Sequence, residues 1–205
     1  GGNHFVEVQT VSKVLDKKRA WQEGLSEGDV VVTIHSGSRD VGFYVGSRWM
    51  DRAKEQSPQG QAHPKHGLYA IEGPLALEYL EAMGTASRYA WLNRFLMDEM
   101  MRQSWARVIG VPSWSLLVDV PHNVIGQEYG RNIHRKGATP AHTGQLGVIP
   151  GSMGDASFIA VGAGNPDWLW SCSHGAGRQV KRQTMRNAKL DEGTWTCLTT
   201  NEERK

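Results

Sequence analysis

At 205 residues, with 39% hydrophobic and 21% charged side chains, the chain has the makeup of a soluble globular protein large enough for one sizeable core or two small ones. A net charge of +2 excludes a grossly basic nucleic-acid tail, so any contact with nucleic acid has to come from local clusters. Two cysteines exclude a disulfide framework, and no run of eighteen apolar residues reads as a membrane span; a reducing, cytoplasmic compartment and no membrane partner are expected.

Phe5-Val6-Glu7-Val8 alternates as a strand does, which puts Asn3 and His4 at its entrance. Val30-Val31-Val32-Thr33-Ile34 is a β-branched run that reads as a buried strand, and it ends in the small-residue turn His35-Ser36-Gly37-Ser38-Arg39. Pro, Gly, Gln and His content makes 57–67 an exposed loop. From Leu75 to Ile109 apolar residues recur at helical spacing, with Gly84 expected to separate two helices; Leu77, Leu80, Trp91, Phe95 and Trp105, with Met97, Met100 and Met101, read as core packing.

Leu116-Leu117-Val118-Asp119-Val120 is expected as a third strand that delivers His122-Asn123. The stretch 133–139 supplies His134-Arg135-Lys136-Gly137, and Pro150-Gly151-Ser152-Met153-Gly154 reads as a turn. Phe158-Ile159-Ala160-Val161 is a short strand ahead of Ser171-Cys172-Ser173-His174-Gly175-Ala176-Gly177-Arg178, where glycines bound a tight turn and the run from Arg178 to Lys189 reads as the helix it opens. Strands mixed with one long helical block imply an α+β architecture, expected as a single domain over 1–205. The first residues, Gly1-Gly2-Asn3-His4, already read as a motif without an initiator methionine, so a part of a longer protein is expected.

Four histidines, His4, His35, His122 and His174, each sit beside a strand end next to Gly, Ser or Asn. Imidazole suits first-row transition metals, and neighbouring Ser, Asn, Arg and Lys suit phosphate oxygens, which points to metal-assisted phosphate chemistry; a locally hydrogen-bonded structural histidine is the competing reading for each alone. Arg39, Arg135, Lys136 and Arg178 adjoin small-residue turns where a cation can reach a bound phosphate. Arg178, Lys181, Arg182, Arg186 and Lys189 give the last helix a basic face that also reads as simply solvated. His63, His66 and His142 read as solvated loop residues, and Cys172 as a small buried one.

Asn3-His4-Phe5-x-Glu7, His35-Ser36-Gly37-Ser38-Arg39, His122-Asn123, His134-Arg135-Lys136-Gly137-Ala138, Pro150 to Gly154 with Ser157, and His174 to Arg178, in this order, resemble the RtcB-type RNA ligase family. The resemblance implies mixed sheets flanked by helices, with an active site at converging strand ends. It implies a GTP- and manganese-dependent ligase that joins RNA 3′-phosphate or 2′,3′-cyclic phosphate ends to 5′-hydroxyl ends, in tRNA splicing or RNA repair. His174 would be the nucleophile that takes GMP from GTP; His4, His35 and His122 would be ligands in a site for two manganese ions. Asn3, His4, Phe5, Val6, Glu7, Arg39, His122, Asn123, Lys136, Pro150, Gly151, Ser152, Met153, Ser157, His174, Gly175, Ala176 and Gly177 would line the GTP site. RNA, GTP and a small archease-type activator are the implied partners.

The family also carries an upstream Asp-x-x-Cys pair and a downstream lysine, neither of which this sequence holds, and Asp40 and Asp155 stand where the family has Gly and Thr. Carboxylates beside a triphosphate weaken its binding unless a metal or arginine offsets them. A degenerate homologue that binds nucleotide or RNA without ligating, and a metal-dependent phosphoesterase, are the alternatives.

Overall fold

The structure is a computed structural model that describes residues 4–57, 67–110, 114–151, 155–175 and 177, and the backbone of 195–196 and 203–204. The expected loop around His63 and His66 and the helix from Arg178 to Lys189 lie outside the described residues. The fold is α+β, and the chain divides into two compact units, 1–115 and 116–205.

In the first unit β1 (Phe5–Thr10) pairs antiparallel with β2 (Val30–His35) in a register that sets Phe5 opposite His35. Between them lies the short helix α1 (Lys17–Gln22), whose first turn is capped by Asp16 accepting from the Arg19 backbone N–H at 2.9 Å. β2 is only half-buried rather than buried, and Val30 is 56% exposed, in a sheet of two strands.

Two helices follow, α2 (Arg39–Gln56) and α3 (Gly73–Val108). Trp49 of α2 is buried against the Tyr79 ring of α3 at 5.5 Å between centroids, and Arg52 lies over the same indole while pairing with Glu78 at 3.1 Å. The end of α3 is closed by the chain folding back, where Trp114 donates its indole N–H to Asp98 at 3.0 Å and Arg102 donates to the Trp114 carbonyl at 2.8 Å.

Two expectations about α3 are corrected. Gly84 does not divide it: one helix runs unbroken from Gly73 to Val108. A glycine costs a long helix only about 1 kcal/mol, too little to break one anchored at both ends. The stripe read as core is also largely exposed, with Leu77 at 63%, Trp91 at 52%, Phe95 at 51% and Met100 at 67%. α3 packs against α2 and the end of β2 through Tyr79, Ala86 and Asn93, which share one side of the helix, and Trp91 and Phe95 stack on each other on the opposite side. A Cβ at position 84 would approach only the tip of Arg88, at 3.9 Å. Gly84→Ala is therefore expected to stabilise the first unit by about 1 kcal/mol, read as a higher midpoint in urea denaturation.

In the second unit Leu116 to Val120 is not a strand, and Leu116 is 74% exposed; a short apolar run becomes a strand only when another strand pairs with it. Strand structure begins instead at β3 (Asn123–Glu128), which forms a hairpin with β4 (Arg131–Lys136). Tyr129 and Gly130 make its two-residue turn, both left-handed at φ 50° and 72°. β5 (Ala138–Pro140) pairs with β8 (Ser171–Ser173), and β6 (Leu146–Ile149) with β7 (Phe158–Val161), the strand expected there. β9 (Trp195–Thr196) and β10 (Glu203–Arg204) form a further short pair. Ile133 on β4, 3% exposed, and Thr139 on β5, 2% exposed, mark the interior of this unit. No helix among the described residues is long and apolar enough to cross a membrane.

Candidate active site

In the first unit the β1–β2 register brings the entrance of one strand to the exit of the other, so His4 and His35 meet edge-on with ring centroids 6.2 Å apart. Phe5 packs its ring against His35 at 5.2 Å. Arg39, at φ 51° in the first turn of α2, turns its guanidinium back to His4 and donates from Nη1 to Nδ1 at 2.7 Å. The small-residue turn between His35 and Arg39 is held from outside the motif. Asn93 of α3 donates to Ser36 Oγ at 3.0 Å and to the Gly37 carbonyl at 2.9 Å, and Arg94 donates to the Ser36 carbonyl at 3.3 Å. Neither residue was singled out in the sequence; the available signal was two polar side chains inside an apolar helical run.

Glu7 is exposed on β1 and accepts from Gln9 at 3.1 Å, while Val6 is 38% exposed. Asp40 stands in the first turn of α2, where a carboxylate complements the helix dipole. Asn3 lies outside the described residues.

In the second unit β5 and β8 pair so that Ala138 faces Ser173, and the next residue outward on each side is Gly137 and His174. The His174 ring nitrogen Nδ1 lies 2.7 Å from the Gly137 carbonyl oxygen, and its backbone N–H reaches the same oxygen at 3.4 Å. A carbonyl only accepts, so Nδ1 carries the proton and the neutral ring keeps its lone pair on Nε2.

The His122 ring lies 4.7 Å from that of His174, tilted by 40°, and the His122 carbonyl accepts from the Gly137 N–H at 2.9 Å. Gly137 thus ties both histidines to one point. Lys136, exposed at the end of β4, faces Asn123 across the hairpin. Beside Gly175 lies the Pro150 carbonyl, 3.5 Å from where a Cβ would stand, and the Gly151 N–H donates to Ser157 Oγ at 3.1 Å, closing the β6–β7 loop. Gly177 is exposed and left-handed at φ 79°; Ser152, Met153 and Ala176 lie outside the described residues.

Gly137 has φ 72°, and a Cβ there would stand 3.4 Å from His174 Cε1 and 3.5 Å from Nδ1. Gly137→Ala is expected to cost about 1–2 kcal/mol in urea denaturation through left-handed strain, and to press on the ring of His174.

Two readings of the basic and loop residues are corrected. Arg135 is not a cation available to phosphate: it is 4% exposed, because β4 turns it inward, and both of its terminal nitrogens pair with the Glu128 carboxylate, Nη2 to Oε2 at 2.8 Å. His142 is no solvated loop residue either; its Nε2 lies 3.0 Å from Glu128 Oε2, and the Tyr129 hydroxyl is 3.4 Å from its Nδ1. Arg135 beside it holds the Glu128 carboxyl below its ordinary range, with His142 adding to the effect against the opposing influence of burial. Cys172 is half-buried with its sulfur 3.2 Å from Thr139 Oγ1.

The tRNA-splicing ligase RtcB from Aeropyrum pernix is 37% identical to this chain, over 92% of it and 45% of the relative. The RNA-splicing ligase RtcB of Mycobacterium tuberculosis is 39% identical over 88% of this chain and 47% of its own length, and the tRNA-splicing ligase RtcB of Thermococcus kodakarensis 33% identical over 95% and 48%. The chain spans about half the length of these curated relatives. The family model described as tRNA-splicing ligase RtcB matches residues 1–201, and the chain belongs to that family.

Proposed function

We propose that this chain carries the nucleotidyl-transfer chemistry of an RNA ligase that uses GTP and manganese to join 3′-phosphate or 2′,3′-cyclic phosphate ends to 5′-hydroxyl ends. The observation that carries this reading is the 2.7 Å contact of His174 Nδ1 with the Gly137 carbonyl oxygen, which favours the proton on Nδ1 and, in the neutral ring, the lone pair on Nε2. Such a ring attacks phosphorus without a separate base.

In the first step Nε2 bonds to the α-phosphorus of GTP and pyrophosphate leaves with the electrons of the broken P–O bond. The ring becomes cationic, and the Gly137 oxygen, already bonded to Nδ1–H, stabilises that charge. A 2′,3′-cyclic phosphate end is first opened by water to a 3′-phosphate; the RNA 3′-phosphate then takes GMP from Nε2, which restores the neutral ring, and the 5′-hydroxyl, giving up its proton, displaces GMP as the strand is sealed. Lys136 supplies an exposed cation near this ring's backbone anchor, at the residue before Gly137.

The donor type, imidazole, suits a divalent cation, although no group of three or more His, Cys, Asp or Glu is assembled to hold one among the described residues. His4 and His35 present imidazoles edge to edge, and the lone pair of His4 Nδ1 already receives a cationic group, the Arg39 guanidinium. We assign His4 and His35 as manganese ligands of the first unit and, separately, His122 as a manganese ligand of the second. Manganese bound to them would neutralise charge on phosphate oxygens. Arg39, released from His4, would be free to meet phosphate.

Incubation of the chain with radiolabelled GTP and manganese tests the reading. Label that survives denaturation and alkali but is released by acid, as a phosphoramidate is, supports it; a chain that binds both ligands and never takes label overturns it.

A further inference from the structure

We propose that Arg135 is a positioning residue for His174, acting by clamping the backbone that leads into β8. This rests on the reading of His174 as the nucleophile. The Arg135 guanidinium faces two ways. Toward its own hairpin it is neutralised by Glu128, and toward the other strand it donates from Nε to Ser171 Oγ at 2.9 Å and from Nη2 to the carbonyls of Leu169 and Trp170 at 3.2 and 3.5 Å. Ser171 Oγ in turn donates to the Leu169 carbonyl at 2.8 Å.

Leu169 and Trp170 are both left-handed, at φ 52° and 48°, a conformation that side-chain-bearing residues adopt only when their surroundings enforce it. Arg135 holds the carbonyls of both, and Trp170 is further pinned by stacking on Tyr129 at 3.9 Å. From this bend the chain runs directly through Ser171, Cys172 and Ser173 to His174. The strand that carries Arg135 runs on in the other direction to Gly137, the residue whose carbonyl receives His174 Nδ1. One buried side chain therefore ties the entry of the strand that bears the nucleophile to the strand that orients its ring. A lysine has the charge but not the planar fork, and cannot meet Glu128, Ser171 and two carbonyls at once.

The test reads the ring before it reads activity. In the chain labelled with 15N-histidine, with the His174 signals assigned by their loss in His174→Gln, the wild-type ring is expected to carry its proton on Nδ1. Arg135→Lys and Ser171→Ala are expected to mix the two tautomers, and to slow label transfer from GTP by roughly tenfold to a hundredfold with GTP affinity unchanged, as a slightly misplaced nucleophile does. A His174 ring that keeps the Nδ1 proton, at wild-type transfer rate, in both variants overturns the inference. Should Arg135→Lys not fold, Ser171→Ala, which removes one acceptor and no charge, decides it alone. If the wild-type chain takes no label, the nucleophile reading fails, whereas the ring tautomers still decide whether Arg135 sets them.

Discussion

With His174 as the proposed nucleophile, His174→Ala is expected to lower covalent transfer of GMP to the chain by on the order of 10⁴-fold or more, because the attacking lone pair is removed. The measurement is the initial rate of label incorporation from GTP with manganese. The variant also loses the hydrogen bond to the Gly137 carbonyl, worth about 1 kcal/mol net, so the fold should survive it. His174→Asn separates the two roles. Its amide N–H can still donate toward the Gly137 oxygen, but an amide nitrogen has no lone pair to offer phosphorus, so stability should stay near wild type while label transfer is lost. Label retained by both variants would mean that another residue accepts the nucleotide.

The four strand-edge histidines were legible because each follows or precedes a run with a strand's pattern and sits against small residues. His4 and His35 stand at the paired ends of β1 and β2, His122 one residue before β3, and His174 one residue after β8. Periodicity alone could not say what those rings touch. Gly137 gave no sign in the sequence that its carbonyl receives His174, since that contact depends on the β5–β8 register.

The elements that escaped did so for identifiable reasons. α2 contains Gly42 and Gly46, which weaken a helical pattern, and yet Gly42 is useful, because a Cβ there would collide with the side chain of Ser38 at the head of the helix. The β3–β4 hairpin turns on Tyr129-Gly130, and a tyrosine at a left-handed position is not a turn signal. Arg135 was read by its neighbours in the chain as a phosphate cation, whereas the alternation of β4 turns it inward with Ile133, both buried, and sends His134 and Lys136 to solvent.

That inward turn makes the loss of Glu128 costly to the second unit. The Arg135 side chain is 2% exposed and Glu128, 20% exposed, is its only carboxylate partner among the described residues. Glu128→Ala leaves a buried guanidinium without its counter-charge, and removing one partner of such a pair is expected to destabilise by about 3 kcal/mol or more in urea denaturation. Glu128→Gln, which keeps one acceptor oxygen, should lose less.

The sign of the pH dependence follows from the same contact. Arg135, and after it His142, favour the ionised carboxylate in the folded chain, so the folded pKa lies below the unfolded one. The contribution of Glu128 is then fully present above the ordinary glutamate value and is lost as pH falls through the lowered folded value. Wild-type stability should drop below about pH 4, and Glu128→Gln, which cannot titrate, should drop less steeply across that window. Parallel acid profiles for the two proteins would show instead that Glu128 stays charged, or contributes nothing, throughout.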